Sequence, residues 1–209
     1  MFIRNLKLAW RNILRHRIFS GINVLGLSIG LGSCILIGLF VFNELSFDKF
    51  HSNHKRIYRI NKITNEKGKL PQSDGLTPEL LAPALQKSIP EIKTATRFRP
   101  WFNDMLVVSS EKKIKLKEVA FADPSFLGIF DFPLISGDKR SALTDPGTAV
   151  LTETTAHNYF GNQDPIGQTL IALNNIPLKI TGVIKDPPQN SSIQFSMLIS
   201  WSTLTTGEN

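Results

Sequence analysis

Residues 18–43 read IFSGINVLGLSIGLGSCILIGLFVFN, 26 positions without one charged side chain. A helix needs roughly 20 apolar residues to cross a hydrocarbon core about 30 Å thick, so this stretch predicts one transmembrane helix. Ser20, Asn23, Ser28 and Ser33 dilute the run, but a helix satisfies its own backbone and tolerates them in lipid. A cleaved signal peptide calls for a shorter apolar core and a small-residue cleavage site, and neither fits. Leu31–Gly32–Ser33–Cys34 has the look of a lipoprotein cleavage box, yet Ile35 to Phe42 stays apolar beyond the cysteine. The span is the better reading.

Upstream of it the charge is one-sided. Residues 1–17 hold Arg4, Lys7, Arg11, Arg15 and Arg17 and no acid, which is five of the net +7. The rest of the chain is close to neutral, so the basic balance argues against a nucleic-acid partner and marks topology instead. Positive residues beside a span stay on the cytoplasmic side. Ile3, Leu6, Trp10, Ile13 and Leu14 recur at helical spacing beside the basic residues, which predicts an amphipathic helix lying on membrane lipid. Arg4, Lys7, Arg11 and Arg15, which line the other face of that helix, contribute up to roughly 4 kcal/mol against anionic lipid at about 1 each. Within the span, Gly26 and Gly30 form a GxxxG pair and Ser28 with Gly32 repeats the spacing. Small residues so placed let helices approach closely in lipid, although glycine is also simply common in spanning helices.

Residues 44–209 alternate short apolar runs with turn residues and read as an α+β domain outside the cytoplasm. Strands are expected at Arg56–Thr64, Ile92–Phe98, Met105–Ser109, Ile114–Phe121, Ala149–Leu151 and Ile193–Ile199, and a hairpin at Gln168–Leu173 and Ile176–Ile184 around Asn174–Asn175. Thr77–Pro78–Glu79 reads as a helix start running to about Ser88. Glu153–Phe160 reads as a helix capped by Thr152 and ended by Gly161. Cys34 is the only cysteine, so no intrachain disulfide is possible and the domain must stand on packing. The chain stops at Asn209 soon after a strand, which gives the expectation that the domain is incomplete at its C-terminus.

Several blocks, in order, resemble the MacB-like, FtsX-like family of ABC transporter permeases. They are Asn5–Leu6–Lys7–Leu8–Ala9–Trp10–Arg11–Asn12 before the span, then Glu44–Leu45–Ser46–Phe47–Asp48–Lys49–Phe50–His51 with Arg56–Ile57–Tyr58–Arg59–Ile60. Phe126 to Leu134 with Gly137–Asp138 follows, and then the most specific stretch, Tyr159 to Gln168, trailed by Thr181 to Pro187. The resemblance implies a periplasmic core domain behind the first span of a permease in the inner membrane. It also implies a second permease subunit, a separate cytoplasmic ABC ATPase, a periplasmic partner protein, and no cofactor or catalytic residue. The cargo is not legible in these blocks.

The residues themselves offer little chemistry. Gly161 to Thr169 invites a phosphate-loop reading, but its gap is five residues and Gln168 stands where a lysine would reach phosphate. His51 and His54 could share a helical face toward a metal, with Asp48 adding an oxygen, but surface histidines near a membrane boundary are the expected account. His157 has no identifiable nucleophile beside it, and the serines show no nucleophile elbow. Gly182 inside an apolar strand predicts a bulge or a close backbone approach. A single-pass anchored binding or sensor module remains the alternative to a permease.

Overall fold

The computed structural model describes residues 11, 15–65, 68, 70–109, 112–172 and 175–206. The chain divides into two compact units, one ending at Phe47 and the other beginning at Asp48. In the first, α1 (Arg17–Ser46) runs for 30 residues without a break, about 45 Å at ~1.5 Å per residue. It is long and apolar enough to cross a membrane, it buries none of its residues, and its apolar side chains point all around it. A helix of that kind belongs in lipid or in a large core. Arg11 and Arg15 are helical and exposed. Arg4, Lys7 and the expected apolar face from Ile3 to Leu14 lie outside the described residues.

The second unit begins with a one-turn 3-10 helix (His54–Arg56) and a small antiparallel pair, β1 (Lys62–Thr64) and β2 (Gln72–Asp74). Helix α2 (Leu81–Ser88) follows. A nine-stranded mixed sheet then forms from β3 (Phe98–Pro100), β4 (Met105–Val108), β5 (Lys113–Leu116), β6 (Val119–Ala122), β7 (Leu134–Gly137), β8 (Thr148–Thr152), β9 (Thr169–Ala172), β10 (Ile176–Ile184) and β11 (Met197–Ser200). Its main order is β3-β6-β11-β8-β10-β9-β4-β5. Strand β10 is long enough to take β9 and then β7 along one edge while β8 runs parallel along the other.

The central strands β6, β8 and β11 are buried at every position, because both faces of the sheet are covered. Side chains alternate across a strand, and the two cores follow that alternation. Val119, Phe121, Ala149, Leu151, Met197 and Ile199 join Ala156 and Tyr159 on one face. Ala120, Ala122, Val150 and Leu198 join Phe126, Leu127, Phe132 and Phe195 on the other. Helix α4 (Glu153–Phe160) belongs to the first layer and the short α3 (Phe126–Ile129) to the second. This continuous apolar reading is what two covered faces demand.

The α+β class, the β9–β10 hairpin and α4 agree with the sequence. Thr152 accepts a hydrogen bond from the Thr155 N–H, and Gly161 closes the helix at φ 60°. Gly182 shows both features expected of it. The β10–β8 register shifts between Ile180 and Gly182, and a side chain there would stand 3.3 Å from Val150 and 3.4 Å from Leu134.

Other expectations need correction. Arg56–Thr64 is strand only at Lys62–Thr64, and Ile92–Phe98 only from Phe98, because the apolar residues between find no sheet to bury them. Ile114–Phe121 is two strands, broken where Glu118 takes φ 55°. The helix expected from Thr77 begins at Leu81, and Thr77 does not cap it. Pro83 explains the delay. In a helix begun at Pro78 its ring would meet the carbonyl of Glu79, four residues back, whereas in the first turn it is tolerated. Ile193–Ile199 is strand only from Met197, and the chain goes on past β11 into a short helix, α5 (Ser202–Thr206).

Candidate functional site

The densest polar cluster of the second unit lies where that unit begins. Asp48 sits at φ 56° and its N–H donates to the Asn190 carbonyl at 2.9 Å. Its carboxylate accepts from the Ser192 N–H at 2.9 Å, from the Ser192 hydroxyl, and from the Ser191 hydroxyl at 3.4 Å. Three residues on, His51 is 2% exposed, among the rings of Phe50 at 3.9 Å and Phe130 and Phe132 at 5.2 Å each. The Asp131 N–H donates to His51 Nδ1 at 3.0 Å. Ser52 returns the contact, its N–H and hydroxyl donating to Asp131 Oδ2 at 2.6 and 2.7 Å. The turn 48–56 is thereby pinned to two distant loops.

These contacts set the protonation of the site. Burial pushes His51 below the usual histidine range. Asp48 and Asp131 pull it back up, and His54 adds to the depression. The Ser52 hydroxyl and then its N–H hold the Asp131 carboxyl below the usual carboxylate range, against a smaller upward push from burial. The expectation that His51 is a surface histidine is therefore corrected, while His54 is exposed as expected. His54 Nδ1 lies 2.9 Å from the His51 carbonyl oxygen, so each ring gives its Nδ1 to the backbone. Among the described residues no group of three or more His, Cys, Asp or Glu is arranged to hold a metal.

The other residues singled out by the sequence have structural work. Around Gly161–Thr169 the backbone N–H groups turn inward: Gly167 donates to the Ile180 carbonyl at 2.8 Å, Gln168 to the Pro165 carbonyl at 3.1 Å, and Ile166 to the Asp164 side chain at 3.0 Å. They form a turn whose N–H groups at Ile166, Gly167 and Gln168 are taken up within the protein. His157 Nδ1 lies 3.2 Å from the Gly161 carbonyl oxygen at the end of α4. The Tyr159 hydroxyl donates to the carbonyls of Val107 at 3.0 Å and Ile114 at 3.4 Å, tying α4 to the β4–β5 hairpin, and burial pushes its pKa up to about 12. Gly26, Gly30 and Gly32 have nothing within 4 Å of where a side chain would start, so the faces expected to pack against other helices are open among the described residues. A shallow concavity beside α2 is walled by the Arg97–Asp123 ion pair, which closes at 2.7 Å under the Trp201 ring.

A sequence model of the MacB-like periplasmic core domain matches residues 20–209. The chain belongs to that family. No curated protein matches significantly. Among solved structures, this MacB-like chain is similar to a domain of a protein described as a permease from Porphyromonas gingivalis, at 32% identity and TM-score 0.52, covering 58% of this chain and 56% of that one. The periplasmic region of MacB from Actinobacillus actinomycetemcomitans matches at 16% identity and TM-score 0.44, over 59% of this chain and 57% of that one. The extracellular domain of the noncanonic ABC-type transporter YknZ from Gram-positive bacteria matches at 15% identity and TM-score 0.46, over 58% and 61%. The chain thus spans a little over half the length of each of these structures. A MacB-like periplasmic domain joined to one apolar helix of spanning length describes a membrane-anchored protein with its domain outside the cytoplasm.

Asp48 and Asp131 stand inside the family-like blocks, Asp48 read only as a possible metal oxygen and Asp131 given no role, while nothing in the sequence singles out Ser52, Ser191 or Ser192. The available signal was aromatic: Phe50 beside His51, and Phe130 and Phe132 around Asp131. Chain separations of 80 residues from His51 to Asp131 and 144 from Asp48 to Ser192 put the pairing beyond local pattern.

Proposed function

We propose that this chain is a permease subunit, or the N-terminal part of one, in a MacB-type ABC transporter of the inner membrane. The observation that carries the reading is the family match, which begins inside the apolar helix and runs on through the whole described domain. In this reading residues 1–17 stay in the cytoplasm, 18–43 cross the membrane and 44–209 lie in the periplasm. Arg4, Lys7, Arg11, Arg15 and Arg17 hold the N-terminus on the inner side by their attraction to anionic lipid. Gly26, Ser28, Gly30 and Gly32 supply a face for a neighbouring helix, of this chain's second copy or of the rest of the transporter. ATP is hydrolysed by a separate cytoplasmic subunit, and the chain does no covalent chemistry. It conveys the resulting motion to the periplasmic domain, for export or for mechanical work on a periplasmic partner.

The pinned turn 48–56 supports this. A segment that conveys motion from a span must be firmly tied to the body it moves, and the contacts of Asp48, His51 and Ser52 tie it. The test is affinity purification of the tagged full chain from its own host's membranes in mild detergent. An ATP-binding-cassette ATPase recovered in stoichiometric amount, with two copies of the chain, is expected. Recovery of a monomer without any nucleotide-binding protein overturns the proposal and favours the single-pass binding or sensor module.

A further inference from the structure

We propose that His51 is an acid-released latch, which holds the turn 48–56 to the domain while its ring is neutral and lets go when the ring takes a proton. The geometry fixes the tautomer. Nδ1 accepts the Asp131 N–H, so Nδ1 carries no hydrogen and the neutral ring bears its proton on Nε2. Nε2 is buried without a hydrogen-bond partner among the described residues. A second proton must go to Nδ1, where it faces the N–H of Asp131 donor against donor. That hydrogen bond is lost, and the cation is left among phenylalanine rings.

The charged groups facing the ring do not offset this. Asp48, on the ring's own turn, is held by Ser191 and Ser192, and Asp131, from the loop after α3, is held by Ser52. Each draws His51 upward, His54 opposes them, and the outcome is a net depression led by burial. Lys139 faces Asp131 and lowers its carboxyl further. A histidine that is harder to protonate folded than free stabilises the closed turn above about pH 6.5 and loses that contribution as pH falls through its folded value. Local opening of the turn, with the sheet intact, is the economical response, because local opening costs less than global unfolding.

Hydrogen exchange of the full chain in detergent reads this directly, with each amide's protection expressed relative to its intrinsic rate at the same pH. Between pH 7.5 and 5.5, protection in residues 48–56 is expected to fall severalfold, with a ceiling near about tenfold set by one unit below ~6.5. Strands β8 and β11 should stay constant. His51→Asn offers an acceptor oxygen in place of Nδ1 and cannot ionise, so its turn should hold at both pH values. Protection that stays within about twofold in the wild type, or that falls equally in His51→Asn, overturns the latch. If His51→Asn leaves the turn open throughout, the wild-type ring decides. Its carbon-bound proton resonances, followed by NMR, should titrate below about pH 6.5, at the pH where the loss of protection levels off, and a ring that titrates at or above about 6.5 overturns the proposal.

Discussion

Residues 48–104 and 105–206 are two stretches of one unit that use apolar residues in opposite ways. From Met105 onward they fill two cores, with Phe121, Leu151, Leu170 and Ile180 fully enclosed. Between Asp48 and Asp104 the one buried residue among those described is His51, while Tyr58, Leu70 and Leu80 stand 80%, 87% and 77% exposed. The first stretch is held to the second by the polar contacts of Asp48, His51, Ser52 and the Arg97–Asp123 pair, by β3 in the sheet, and by half-buried Phe50, Phe98 and Trp101 packed on the cores. Burial makes one stretch a rigid body. In the other, hydrogen bonds and a few half-buried rings make the attachment, and its turn 48–56 is the part proposed to switch.

The largest effect should come from setting a core leucine against an exposed one. Leu151→Ala empties space between the layers of a packed sheet and should cost about 2–5 kcal/mol, measured by chemical denaturation in detergent. Leu80→Ala should stay within about 0.5 kcal/mol. Equal losses at the two sites would mean that another surface covers Leu80 in solution, and would break the contrast. Next comes Gly137→Ala. Gly137 takes φ 98°, and a side chain there would run into the Thr181 carbonyl oxygen. The substitution should cost about 1–3 kcal/mol for backbone strain, and a neutral result would remove the close approach of β7 to β10. Tyr159→Phe comes third. It removes the hydroxyl that joins α4 to the β4–β5 hairpin, for about 1 kcal/mol, and a change below the error of the same denaturation experiment would deny that link.

The same contrast explains what the sequence reveals. Where apolar residues are buried, local pattern and structure agree. Thr152 and Gly161 bound α4, and the paired apolar runs give the β9–β10 hairpin. Helix α1 agrees for another reason: its uncharged run is long enough to span lipid while burying nothing within the protein. Where apolar residues stay exposed or only half-buried, as Tyr58, Ile60 and Ile63 or Ile92 and Ala95 do, the pattern misleads, and Arg56–Thr64 and Ile92–Phe98 each yield three residues of strand or fewer. Strand propensity is a fit to a half-buried surface and carries little without one. Glu118 splits β5 from β6 by entering the left-handed region, which nothing in its neighbours announces. The polar site was illegible for another reason: its parts come from three separate stretches, and hydrogen bonds between stretches leave no periodicity.

The smallest effect tests whether the attachment has one titrating group or two. Asp131 is held below the usual carboxylate range by Ser52, so its contribution is present above about pH 3.8 and is lost as pH falls through the lower folded value. The His51 window opens at about 6.5, so the two do not overlap at its upper end. Asp131→Asn keeps an acceptor oxygen for Ser52, and a neutral acceptor is weaker than a charged one. At pH 7.5, protection of residues 48–56 should therefore fall slightly, by less than about 1 kcal/mol. The decline between pH 7.5 and 5.5 should persist, because His51 still receives the N–H of residue 131. If Asp131→Asn abolishes that decline, the carboxylate is the acid sensor and His51 only a packed ring. If the decline remains, the imidazole governs the mildly acidic range and Asp131 acts only in stronger acid.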